Sequence, residues 1–176
     1  LSELYCKKSN KKTNLFCQLE TSNSQTFHQE NCYVDAISSF PYYDIPNSSK
    51  VFATCSNKQL GSLIGLSIVA VKKDCWSDFI DEHTFSYLNL SRYKFFQKSN
   101  QTPSTTPTYI FEHLLCKLKN FDVDRLRETV DDNCKKIRSK ISEENIIGES
   151  NCPVITIKKS SIKKELAEKY QIYGIN

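Results

Sequence analysis

The sequence predicts an α+β fold: a disulfide-stabilised single domain, 1–176, with an antiparallel β-rich N-terminal half packed on a helical C-terminal half that holds one late strand. Three observations predict it. Eight cysteines are spread through 176 residues, β-branched and aliphatic runs fall in the stretch 51–100, and apolar stripes of helical period fall in the stretch 103–176.

The cysteines come first because they set the compartment. Cys6, Cys17, Cys32, Cys55, Cys75, Cys116, Cys134 and Cys152 form an even set that fits four disulfides, whose connectivity the spacing leaves open. Three N-x-S/T sequons, at Asn47, Asn89 and Asn100, mark acceptors that only a secretory chain presents for glycosylation. Together they predict a secreted or extracellular glycoprotein with its signal peptide removed. No cysteine pair has the C-x2-C or C-x4-C spacing of a metal-binding turn and the three histidines are scattered, so neither a metal nor a cofactor is expected.

Residues 1–50 are polar and irregular and read as a loop-rich, disulfide-stapled strap. Val51–Cys55 and Leu63–Val71 flank a polar connection containing Gly61 and predict an antiparallel pair, the second strand largely buried on both faces. Thr84–Leu90 alternates Phe85, Tyr87 and Asn89 against Ser86, Leu88 and Leu90, a third strand. Thr106 as N-cap with Pro107 at the first helical position starts a helix whose Ile110, Phe111, Leu114, Leu115 and Leu118 make one stripe. Asp122 or Asp124 caps the next, in which Leu126, Val130, Cys134, Ile137 and Ile141 recur at helical spacing. Pro153–Ile157 reads as a strand completing the sheet. A last helix from Ser160 or Ser161 turns Ile162, Leu166 and Tyr170 inward.

Charge says little about partners. Of 24 cationic residues 20 are lysine, and the net charge is +4, so a nucleic acid is not expected and polyanion binding is weakly supported. Titratable candidates for catalysis are His83, beside Asp81 and Glu82, and His113, whose neighbour Glu112 points to another side of the helix. No G-x-S-x-G elbow or glycine-rich phosphate loop accompanies them, and no catalytic set is assigned. The reading favoured by elimination is a non-catalytic binding module for another extracellular protein. Its surface is placed on the helix that lacks sequons, at Arg127, Glu128, Asp131, Lys135 and Arg138. The alternative is a secreted hydrolase, such as a nuclease, using His83 or His113.

Thr108–Leu115 with Lys119–Leu126 resembles the helical stretch after the second catalytic motif of secreted ribonucleases of the plant self-incompatibility type, and Ile157–Tyr170 resembles a later helix there. That family's H-G-L-W-P does not occur. Where its E-W-x-K-H-G-T-C would stand the chain has Phe95–Thr102, so neither acid nor base carries over and the resemblance implies a degenerate, non-catalytic relative.

Overall fold

A computed structural model describes residues 16–18, of which only the backbone is considered, together with 24, 30–79 and 89–165. Its centre is a four-stranded mixed sheet in the order β1 (Phe16–Gln18), β2 (Tyr33–Asp35), β3 (Val51–Cys55) and β4 (Ser67–Val71). The first three run parallel, with Phe16 opposite Tyr33 and Tyr33 opposite Val51; β4 returns antiparallel, Val51 opposite Val71 and Cys55 opposite Ser67. The expected antiparallel pair is thus present at β3–β4, beginning at Ser67 rather than Leu63. Val69 is exposed, so the second strand is not buried on both faces.

The rest of the β-rich half differs from expectation. The supposed strap contributes two parallel strands, too short at three residues each to carry an alternating signal. Thr84–Ser86, Tyr87 and Leu88 lie outside the described residues, but Asn89 and Leu90 do not end a strand. Leu90 opens helix α1 (Leu90–Gln97), and the Asn89 side chain accepts from the Ser91 amide at 2.9 Å, an N-cap that satisfies a donor the helix leaves unpaired.

Helix α2 (Thr108–Lys119) starts one residue later than its sequence suggests. Pro107 is the N-cap, and the Thr106 hydroxyl donates to Ser104 O instead. Its apolar residues divide between two faces: Ile110 and Leu114 are buried, while Phe111, Leu115 and Leu118 are exposed. Helix α3 (Val123–Arg138) is capped by Asp122, which accepts from the Arg125 amide at 2.9 Å. It stops before Ile141, in a turn made by Ser139, Lys140 and Ile141.

The late strand does not complete the main sheet. β6 (Thr156–Ile157) pairs antiparallel with β5 (Ile146–Ile147) in a separate ribbon, tied to the chain's beginning by Ser24, whose hydroxyl donates to Val154 O at 2.7 Å. A 3-10 turn at Lys159–Ser161 stands where the last helix was expected to begin; Leu166 and Tyr170 lie outside the described residues. The sheet core is Cys32, Val34 and Ala36 with Phe40, Tyr43, Ile45 and Phe52 packed against it.

No disulfide holds this fold among the described residues. Cys32, Cys55, Cys75, Cys116, Cys134 and Cys152 are not disulfide-bonded. Three of them face oxygen instead of sulfur: Cys55 at Ile37 O (3.9 Å), Cys75 at the Asp74 carboxylate (3.7 Å) and Cys134 at Pro153 O (3.6 Å). Cys6 lies outside the described residues, and Cys17 falls on β1, where only the backbone is considered. A disulfide-stabilised, antiparallel α+β domain is therefore not what the chain forms. Cys32, Val34 and Ala36 are buried in an apolar cluster against Phe40, Tyr43, Ile45 and Phe52. No described helix is long and apolar enough to cross a membrane.

Candidate functional site

Parallel strands deliver their carboxyl ends to one edge of a sheet, and ligands of open α/β sheets bind there. β2 ends on Asp35 and β3 on Cys55, followed by the polar loop 56–66 that carries Lys58. Asp35 and Lys58 are both exposed. The Asp35 carboxylate is oriented by its own turn, accepting from the Ile37 amide at 3.0 Å. Lys58 occupies the first position of a turn closed by the Gly61 amide donating to Lys58 O at 3.0 Å, with Gly61 at φ +62°.

The segments after β2 and β3 are stitched to each other. The Ala36 amide donates to Ala53 O (2.9 Å), the buried Thr54 hydroxyl to Ala36 O (3.2 Å), and the Gln59 amide side chain to Ser38 O (2.9 Å). Loop 56–66 is also closed on itself, the Ser62 amide donating to Ser56 O (2.9 Å) and the Ser56 hydroxyl to Leu63 O (2.5 Å). A carboxylate at the end of β2 and a primary amine in the turn after β3 thus share a hydrogen-bonded frame.

The same loop forms one wall of an open groove of about 700 Å³, with Gln59, Leu60 and Gly61 on one side and His113, Lys117 and Arg125 on α2 and α3 opposite. His113 Nδ1 lies 2.9 Å from the Ser62 hydroxyl, so this histidine braces the loop; the acid that also lines the groove, Asp122, has its carboxylate engaged by the Arg125 amide. His83 lies outside the described residues.

The charged face expected on α3 is largely occupied within the chain. Arg127 donates to Tyr42 O (2.8 Å), Pro41 O (3.2 Å) and the Asp44 carboxylate (2.7 Å). Asp131 accepts from the Tyr42 hydroxyl at 2.5 Å, and Arg138 donates to Glu149 O at 2.7 Å. Burial and the Asp131 carboxylate push the Tyr42 hydroxyl well above the ordinary tyrosine range; burial also raises Tyr43 and the Cys134 thiol. Glu128 and Lys135 remain exposed. Among the expected glycan acceptors, Asn47 and Asn100 are exposed and Asn89 serves as the cap of α1. No group of three or more His, Cys, Asp or Glu side chains could hold a metal among the described residues.

Sequence reasoning passed over Asp35 and Lys58. Neither lies in a recognised motif, and β2 was not seen as a strand; the available signal was a lysine opening a tight turn, with Gly61 at its last position, between two strand-forming runs.

No family model matches the chain, and no curated protein matches it. Solved structures do. A phosphoserine aminotransferase from Cytophaga hutchinsonii is 16% identical, covers 76% of this chain and is itself covered to 44%, with a TM-score of 0.57. An aspartate aminotransferase of subgroup IV from Thermus thermophilus is 17% identical, covers 78% and is covered to 42%, with a TM-score of 0.60. A PLP-bound phosphoserine aminotransferase from Trichomonas vaginalis is 18% identical, covers 84% and is covered to 42%, with a TM-score of 0.60. The chain thus spans less than half the length of these enzymes. With the described cysteines not disulfide-bonded, this likeness overturns the expectation of a secreted, disulfide-bonded glycoprotein working as a non-catalytic binding module. It equally overturns that of a secreted hydrolase or degenerate ribonuclease: the fold is the one found in part of each of these aminotransferases.

Proposed function

We propose that the chain carries part of a pyridoxal-phosphate site and works in amino-group transfer. The observation that carries this reading is Asp35 at the carboxyl end of β2 and Lys58 in the turn that follows the carboxyl end of the neighbouring β3, in a fold shared with aminotransferases. The donor chemistry fits two ends of the cofactor: a lysine amine for the aldehyde and a carboxylate for the pyridinium nitrogen. The described helix starts do not serve its phosphate, since they carry Asn89, Pro107 and Asp122, and the Asp122 carboxylate would repel it.

Lys58 would hold the cofactor at Nζ and, when released from it, move a proton at the same atom. Asp35 would keep a proton on the ring nitrogen, its orientation fixed by the Ile37 amide. When bound, pyridoxal phosphate supplies an electron sink for chemistry at the α carbon of an amino acid. The Gln59 and Thr54 hydrogen bonds keep the two segments in fixed relation, the preorganisation that such chemistry needs.

The test is borohydride trapping of pyridoxal phosphate followed by peptide mapping. Label is expected on Lys58, and Lys58→Ala should remove most of it, while Asp35→Asn should shift the absorbance of the bound cofactor without abolishing capture. Label spread evenly over surface lysines, with the same yield in Lys58→Ala, would refute the proposal.

A further inference from the structure

The turn that presents Lys58 is held from outside the sheet. Loop 56–66 meets α2 at two places: the Ser62 hydroxyl against His113 Nδ1 at 2.9 Å, and Gly65, where an added Cβ would stand 3.1 Å from Ile110 Cδ1. Leu60 on the loop and Ile110 and Leu114 on the helix are all buried. Ser62 is in turn tied by its amide to Ser56 O, at the end of β3, and Lys58 lies between these two residues. A displacement of Ser62 is therefore a displacement of the segment that carries the amine.

We propose that His113 is a positioning residue: through Nδ1 it fixes Ser62 and so sets the turn from which Lys58 reaches the cofactor. The inference rests on the reading of Lys58 given above. It assigns the histidine no contact with substrate. The ring acts as a strut, and the requirement is a polar atom at the Nδ1 position, not an imidazole.

That requirement makes the proposal testable. Asparagine places an amide atom where Nδ1 stands, whereas leucine places none. His113→Leu and Ser62→Ala should each raise amide exchange in residues 56–62 by about two- to tenfold, the ratio that one net hydrogen bond corresponds to, and slow borohydride trapping at Lys58 by a similar factor. His113→Asn should restore both, and the double variant His113→Leu/Ser62→Ala should be no worse than either single change. Unchanged exchange in 56–62 on His113→Leu would overturn the proposal, as would a rise spread uniformly over the protein or a failure of His113→Asn to rescue. Absence of trapping in the unaltered chain would instead remove the reading of Lys58. The exchange measurements would then still decide whether His113 braces the loop.

Discussion

Tyr42 shows how one hydroxyl joins two parts of the chain. It donates to Asp131 on α3, while Arg127 of the same helix grips the Pro41 and Tyr42 carbonyls. Loss of one such hydrogen bond on Tyr42→Phe is expected to cost roughly 1 kcal/mol, because Asp131 is exposed and water takes the vacated place. The folded chain holds the phenol proton more tightly than the unfolded chain, whose tyrosines titrate near 10. The unfolded state therefore binds fewer protons above that pH, and stability must fall as pH rises through it. Urea midpoints at about pH 8 and about pH 11 check this: the decline should be smaller in Tyr42→Phe and smaller still with Tyr43→Phe added, since burial raises that hydroxyl too. Equal declines in all three proteins would contradict it. The pairing was not legible from sequence, because residues 42 and 131 are far apart in the chain and nothing local links them.

At the scale of elements, the two long helices α2 and α3 were readable, while α1 and the parallel strands were not. The recurrence Leu126, Val130, Cys134 marks α3 because a helix repeats its environment locally, and Asp122 caps it as its residue type suggests. β1 and β2 are three residues each and their pairing depends on distant partners, so no local pattern announced them. The same non-locality hid the candidate site, which exists only because β2 and β3 lie in register. The junction of the β3–β4 loop with α2 gives a prediction at this scale. Gly65 has φ +121° and faces Ile110, so Gly65→Ala combines backbone strain with a tight contact and should cost roughly 1–3 kcal/mol. Gly61 has φ +62° and open space around it; Gly61→Asn should cost much less, because asparagine visits that conformation. Urea unfolding of the two variants decides; equal losses would show that backbone geometry is not what the loop demands.

For the whole molecule, compositional inference went astray at the cysteines. An even count of eight and three sequons are statements about composition, whereas pairing is a statement about geometry, and among the described residues the sulfurs of Cys55, Cys75 and Cys134 face oxygens while Cys32 packs in the apolar core. A reductant should therefore leave the melting temperature nearly unchanged, and a thiol titration of the denatured, unreduced protein should count at least the six described cysteines as free. A drop of many degrees on reduction would restore a stapled fold.

Those six thiols also differ in reach. Cys32 and Cys152 are buried, Cys55, Cys75 and Cys134 are half-covered, and Cys116 is exposed on the wall of the groove, one helical turn from His113. Among the described residues the fold thereby carries a built-in attachment point: of these six thiols a fluorophore coupled at substoichiometric ratio goes first to Cys116 and sits on the wall of the groove, where a molecule entering the groove changes its surroundings, an optical reporter that needs no engineered residue.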